Sequence, residues 1–241
     1  MSTIDETNAR LARARVLIVG VGGLGSPAAA ALAGAGVGTL VLMDPDLVDV
    51  SNLHRQTLYG TADVGRRKVQ VAAERLGARH PALRVEAWPE RFGPESAARL
   101  RGVDVVLDGT DTIGAKFAVN DAAVAAGVPL VHAGVLGFRA QLLTVLPGTS
   151  ACYRCVFEEA PPPGDVPSCQ EAGVLGPVTA LAGALQAAEA IGLLTGRGAA
   201  FVDRLLTLDL LAGHHRIVPL PPGPRCTICT ALHPLRRSEA R

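Results

Sequence analysis

Arg15-Val16-Leu17-Ile18-Val19-Gly20-Val21-Gly22-Gly23-Leu24-Gly25 decides the fold. Its first five residues are mostly branched and apolar with no polar alternation, as in a strand buried on both faces. Gly20, Gly22 and Gly25 then fall in the G-x-G-x-x-G spacing, with Gly23 inside the same turn. The alanine-rich segment 26–36 follows as a helix, and Pro27 sits in its first turn, where a missing N–H is tolerated. Strand, glycine turn and helix in that order form a phosphate-binding corner. The glycines let the backbone approach phosphates, and the helix amino terminus offers unpaired N–H groups and a favourable dipole. A second buried strand over 39–43 ends at Asp44, whose carboxylate is suited to accept hydrogen bonds from ribose hydroxyls. The turn by itself does not separate NAD from ATP, and it would also serve close helix–strand packing alone.

Downstream, apolar residues at Val69, Ala72, Ala73 and Leu76 predict a helix over 66–79. Strands are expected over 83–87 and 103–107 with a short helix between them, then a helix over 111–126 and a strand over 129–132. Alternation of this kind implies an α/β fold, a Rossmann-like, mostly parallel sheet flanked by helices. After about Gly137 the pattern turns β-rich, with a strand over 141–146, a proline cluster at Pro161-Pro162-Pro163 and a long, weakly polar helix over 176–196. A single domain over 1–241 is expected, with a nucleotide-binding half over 1–136 and a β-rich half over 137–241.

A chain of 241 residues suits one large α/β domain, and 49% apolar against 19% charged residues supplies a sizeable core. Lysine plus arginine number 23 against 22 acids, and aromatics are only 3%, which argues against a nucleic-acid partner. Residues Val16 to Met43 carry no charge and follow Arg10, Arg13 and Arg15, superficially like a secretory signal or a membrane span. Repeated glycines and Pro27 interrupt that stretch, so a cytoplasmic location without a membrane partner is expected.

There are five cysteines. Cys152-Tyr153-Arg154-Cys155 and Cys226-Thr227-Ile228-Cys229 have the spacing that presents four thiolates to a tetrahedral, structural Zn2+. A pair of disulfides and a thioredoxin-type redox motif are the alternatives, the first poorly suited to an intracellular nucleotide enzyme. Cys169 is left over.

Ser51-Asn52-Leu53-His54-Arg55-Gln56, followed by Lys68, places cations near the glycine turn, as expected where a polyphosphate is held and attacked. Each residue alone has a plainer reading: a solvated arginine, a helix-face lysine, and Asp108 or Asp111 as a cap for the helix beginning near Thr112. Taken with Asp44-Pro45-Asp46, Asp108-Gly109-Thr110-Asp111, Gly173-Val174-Leu175-Gly176-Pro177 and the two Cys-x-x-Cys motifs, they resemble the ubiquitin-activating-type adenylyltransferases, in the MoeB/ThiF/HesA branch. The resemblance runs from about Leu11 to Leu232.

That resemblance implies an adenylation domain in which the terminal glycine carboxylate of a ubiquitin-like, β-grasp sulfur carrier attacks the α-phosphate of ATP. The pathways implied are molybdopterin, thiamine or tRNA thiolation. Arg55 and Lys68 would neutralise the phosphates. Ser51, Asn52 and Thr112 would contact the nucleotide, and Asp111 would hold Mg2+, which prefers oxygen ligands. Asp108 would support its turn. Cys169, on a crossover loop, would accept the acyl group as a thioester or mixed acyl disulfide. A Gly-Gly carrier terminus, a separate sulfur donor and a homodimer are implied as well. The chain departs from the family in lacking an Arg-Tyr-x-Arg-Gln arm before the first strand, in Thr112 where asparagine is common, and in Lys116 where arginine is usual. No sulfur-transferase domain is expected after the adenylation domain. His54 is within reach of phosphate, and His80, His132, His214, His215 and His233 are read as structural or solvated. Two other functions remain as alternatives: a non-activating scaffold or heterodimer subunit of the same fold, and an NAD-dependent oxidoreductase, which rests only on the glycine turn and Asp44.

Overall fold

The structure, a computed structural model, describes residues 3–162, 173–221, 223 and 226–229. Strands β1 (Arg15–Val19), β2 (Thr39–Met43), β3 (Arg84–Trp88), β4 (Val105–Asp108) and β5 (Leu130–Leu136) run parallel. Strands β6 (Arg139–Val145), β7 (Arg204–Asp209) and β8 (His214–Pro219) continue the sheet antiparallel. The eight-stranded order is β3-β2-β1-β4-β5-β6-β7-β8, so the chain reverses direction across the sheet at β1. A crevice at the carboxyl ends of β1 and its neighbours follows from that reversal, and it is where ligands bind in open α/β sheets.

Alternate residues of each central strand enter different cores. Val16, Ile18, Leu40 and Leu42 pack with Ala28 and Leu32 of α2 (Gly25–Gly34), with Val69 and Leu76 of α3 (Lys68–Arg79), and with Val178 and Ala182 of α6 (Gly176–Leu194). Leu17, Val19, Val41 and Met43 pack on the opposite face with Phe117 and Val124 of α4 (Ile113–Ala126) and with Tyr153 of α5 (Tyr153–Val156). Both faces being covered is why these strands read as unbroken apolar runs. By length and composition α6 would pass for a membrane span, yet it lies on the sheet with Val178, Ala182, Ala187 and Ala190 buried.

Helix α1 (Ile4–Arg13) is absent from the sequence-based expectations. Its signal is a capping box: Glu6 N donates to Thr3 Oγ1 at 3.2 Å and Thr3 N donates to Glu6 Oε2 at 2.9 Å. Only Leu11 of this helix is buried, so its apolar periodicity is too sparse to announce it. The short helix expected between β3 and β4 is a 3-10 segment, Pro94–Leu100. The strands β7 and β8 were not anticipated individually, because β8 is exposed along its length and carries no burial pattern.

The glycine turn is a close contact between backbones. A Cβ on Gly25 would lie 2.0 Å from Gly20 O, backbone that cannot swing aside. Gly25→Ala is therefore expected to cost more than about 2 kcal/mol of stability. The measurement is the urea midpoint, and a wild-type midpoint in the variant would refute the close packing.

Candidate functional site

The ends of β1, β2 and β4 surround one cleft of about 320 Å³. Gly20, Gly22 and Gly23 form its floor, Asp44, Arg55 and Lys68 line it on the β2 side, and Asp111 and Thr112 line it beyond β4. Gly25, Ser51 and Asn52 do not line it directly. Gly25 lies under the turn, while Ser51 and Asn52 act on Arg55, whose guanidinium donates to Asn52 Oδ1 at 2.5 Å and to Ser51 O at 3.4 Å. Helix α6 backs the same loop: a Cβ on Gly176 would come within 2.6 Å of His54 O, so only glycine lets the two segments meet. Arg55 has no carboxylate partner among the described residues, and its charge is open to the cleft.

Lys68 is the first residue of α3 and is 5% exposed, which removes the reading of it as an ordinary helix-face lysine. Its ammonium is 2.9 Å from Asp46 Oδ2 and 4.0 Å from Asp44 Oδ1. Asp44 accepts from Val21 N at 2.7 Å and Asp46 N at 2.9 Å, so it pins the turn to the end of β2 as well as facing the cleft. Burial pushes the Asp44 carboxyl above its usual range, against the pull of Lys68 and those two N–H groups. Asp111 has no hydrogen bond or ion pair among the described residues, which leaves both oxygens for a hard cation such as Mg2+. Thr112, and neither aspartate, caps α4, its Oγ1 accepting from Ala115 N at 3.4 Å.

Asp108 holds its turn by accepting from Thr110 N at 2.9 Å and Thr110 Oγ1 at 2.6 Å. It also anchors a buried network that the sequence reading did not foresee. Its Oδ2 lies 2.7 Å from His132 Nδ1 and 3.3 Å from Lys116 Nζ. Burial opposes its ionisation, but Lys116 and the His132 hydrogen bond hold the carboxyl far below the usual range. Burial and then Lys116 lower His132, so a neutral imidazole donates from Nδ1. Lys116 and Gln56 also line the cleft, and the Oε1 of Gln56 is buried without a partner among the described residues. No local pattern announces these residues, since Asp108, Lys116 and His132 come from β4, α4 and β5, which meet only in the folded chain.

The four knuckle cysteines converge. Cys152 Sγ is 3.5 Å from Cys226 Sγ and 4.0 Å from Cys155 Sγ, Cys155 Sγ is 3.4 Å from Cys229 Sγ, and all four lie within 4.8 Å of one another. All four are free thiols. A tetrahedral zinc with sulfurs at about 2.3 Å places them about 3.8 Å apart, so the set fits that metal. Tyr153, between Cys152 and Cys155, packs at a tilt against His132 with ring centroids 4.4 Å apart and meets Phe117 edge-on at 5.0 Å. Cys169 lies outside the described residues.

The sequence pattern of the ThiF family matches residues 2–228. The chain is 45% identical over 230 residues to the sulfur carrier protein adenylyltransferase of Thermus thermophilus, covering 93% of this chain and 85% of that protein. It is 42% identical over 228 residues to the probable adenylyltransferase/sulfurtransferase MoeZ of Mycobacterium tuberculosis, covering 92% of this chain but 58% of that one. In fold it is similar to E. coli MccB crystallised with MccA-N7isoASN, at a TM-score of 0.83 and 24% identity over 93% of this chain and 70% of that chain.

Proposed function

The chain belongs to the ThiF family, and on that premise we propose that it uses ATP to adenylate the C-terminal glycine carboxylate of a ubiquitin-like sulfur-carrier protein. The observation that carries this reading is the shared cleft: Arg55, Lys68 and Asp111 converge on the glycine turn although they come from three separate loops and helices. A redox enzyme binding NAD has no need of two cations and a free carboxylate beside the phosphates. A reaction joining a carboxylate to a triphosphate does, because both reactants are anions. The names of the relatives support the same activity: the Thermus protein is named for adenylating a sulfur carrier.

In this reading the glycine turn holds the phosphates through backbone N–H groups at the start of α2, and Asp44 faces the ribose with the acceptor capacity its two N–H bonds leave. Arg55 and Lys68 take up charge as pyrophosphate leaves. Asp111 would hold Mg2+, which would supply positive charge against that of the triphosphate. Cys152, Cys155, Cys226 and Cys229 would hold a structural Zn2+ with no open position. Cys169 is the proposed acyl acceptor on sequence grounds alone. A homodimer, a carrier ending in Gly-Gly, a separate sulfur donor and a cytoplasmic location complete the proposal.

The test is exchange of labelled pyrophosphate into ATP. Exchange is expected only when a carrier with a free Gly-Gly terminus is added, and a carrier with its terminal glycine removed should give none. Absence of exchange across a panel of sulfur carriers would overturn the proposal.

A further inference from the structure

The cations assigned to the triphosphate all lie on one side of the glycine turn. Arg55 and Lys68 follow β2, which flanks β1 on one side, while β4 flanks it on the other. The cation beyond β4 is Lys116, in the first turn of α4, which lines the cleft although only 8% exposed. Its ammonium donates to Ala133 O at 2.8 Å, a good hydrogen bond, and to Asp108 Oδ2 at 3.3 Å, a long one. The second is long because Asp108 is occupied elsewhere, by His132 at 2.7 Å and by both donors of Thr110. An ammonium carries three donors, so these contacts anchor Lys116 and still leave one N–H for the cleft.

Resting on the adenylation reading, we propose that Lys116 binds the attacking carboxylate, while Arg55 and Lys68 bind the triphosphate. Two anions that must touch repel each other, and the repulsion is greatest where water is excluded. Separate cations on opposite walls let both bind at once, whereas a shared set would make them compete. The surface beside Lys116 points the same way. Its wall runs through Val135 and Val174 to Leu136, Phe138 and Leu175, which are 40%, 43% and 41% exposed, an apolar rim suited to a peptide tail. On the β2 side the lining is charged, with Asp44, Asp46 and Lys68.

In the step itself, a carboxylate oxygen bonds to the α-phosphorus as the bond from that phosphorus to the bridging oxygen breaks. The electron pair leaves with pyrophosphate and no proton moves. Lys116 balances the charge of the carboxylate until phosphorus shares it. Asp108 and His132 are positioning residues that fix where the ammonium stands.

The test compares wild type, Lys116→Met and Lys116→Arg in carrier-dependent pyrophosphate exchange, with ATP affinity measured separately by calorimetry. Lys116→Met is expected to raise the KM for carrier by about tenfold or more, as for a lost charged hydrogen bond, with ATP affinity unchanged. Lys116→Arg should restore most of the carrier affinity. An unchanged carrier KM in Lys116→Met overturns the assignment, and so does a parallel loss of ATP affinity, which would place Lys116 on the triphosphate. If Lys116→Met leaves Asp108 uncompensated and fails to fold, the Asp108→Asn/Lys116→Met variant removes both charges together, and the same split is read from it. Wild-type protein that exchanges with no carrier would sink the adenylation reading and this assignment with it. An active wild type with an indifferent Lys116→Met sinks the assignment alone.

Discussion

Lys68→Ala is expected to lower kcat/KM for adenylation by on the order of 10³-fold, the upper end of the loss seen when one preorganised donor to a developing anion is removed. The expectation rests on burial. Lys68 is 5% exposed at the start of α3 and faces Asp44 and Asp46, so its charge acts where water screens it poorly. Two effects combine in the variant. The phosphates lose a cation, and the buried carboxylate of Asp44, already pushed up by burial, loses the charge that opposes the push. Lys68→Arg should retain more activity than alanine but less than wild type, because a planar fork cannot occupy the same point between two carboxylates. Steady-state pyrophosphate exchange is the measurement, with a thermal melt on each preparation to show that it is folded. A loss smaller than tenfold in a folded Lys68→Ala protein would remove Lys68 from the phosphate site.

The second large effect is expected at the cysteine knuckles. Cys226→Ser removes one of four sulfurs that join segments 74 residues apart in the chain. Metal binding of this type contributes folding free energy directly, and losing a ligand at about 4 kcal/mol corresponds to a fall in Tm of about 8–16 °C for a domain of this size. Elemental analysis of the wild type should return one zinc per chain, and Cys226→Ser should return much less. Stripping zinc from the wild type with a strong chelator should reproduce the fall in Tm. Because Tyr153 packs against His132, and His132 holds Asp108, the disturbance should also weaken the β4–β5 side of the cleft. Zinc-free wild type with the same Tm as the purified protein would refute a structural metal.

The parts of the site that were legible in the chain are those carried by short-range constraints. The glycine turn could be read because a tight strand-to-helix corner needs small residues at fixed offsets, and the structure places Gly20, Gly22 and Gly23 in the cleft floor. The knuckle cysteines could be read because a metal set requires paired ligands at short spacing, and their sulfurs lie within 4.8 Å. Arg55 and Lys68 could be named only as members of a pattern. That they share one cleft follows from the loop after β2 folding back against Gly176 and from α3 starting beside Asp46. Ser51 and Asn52 were read as nucleotide contacts; neither lines the cleft, and what they touch here is the Arg55 guanidinium, through the Asn52 side-chain oxygen and the Ser51 backbone carbonyl, while the Ser51 hydroxyl donates to Asp49.

Buried apolar runs, a glycine corner and an alternation of strand and helix follow from periodicity and backbone sterics, which act over a few residues. They were enough for a doubly covered parallel sheet and for a cleft at the end of its first strand. The partnership of Asp108, Lys116 and His132 was not available at that level, nor was the division of cations between the two walls of the cleft. Those depend on strand order: β4 and β5 lie side by side, and β2 and β4 stand on opposite sides of β1. Sheet order joins residues far apart in the chain, and burial then makes each charge depend on its neighbours in space.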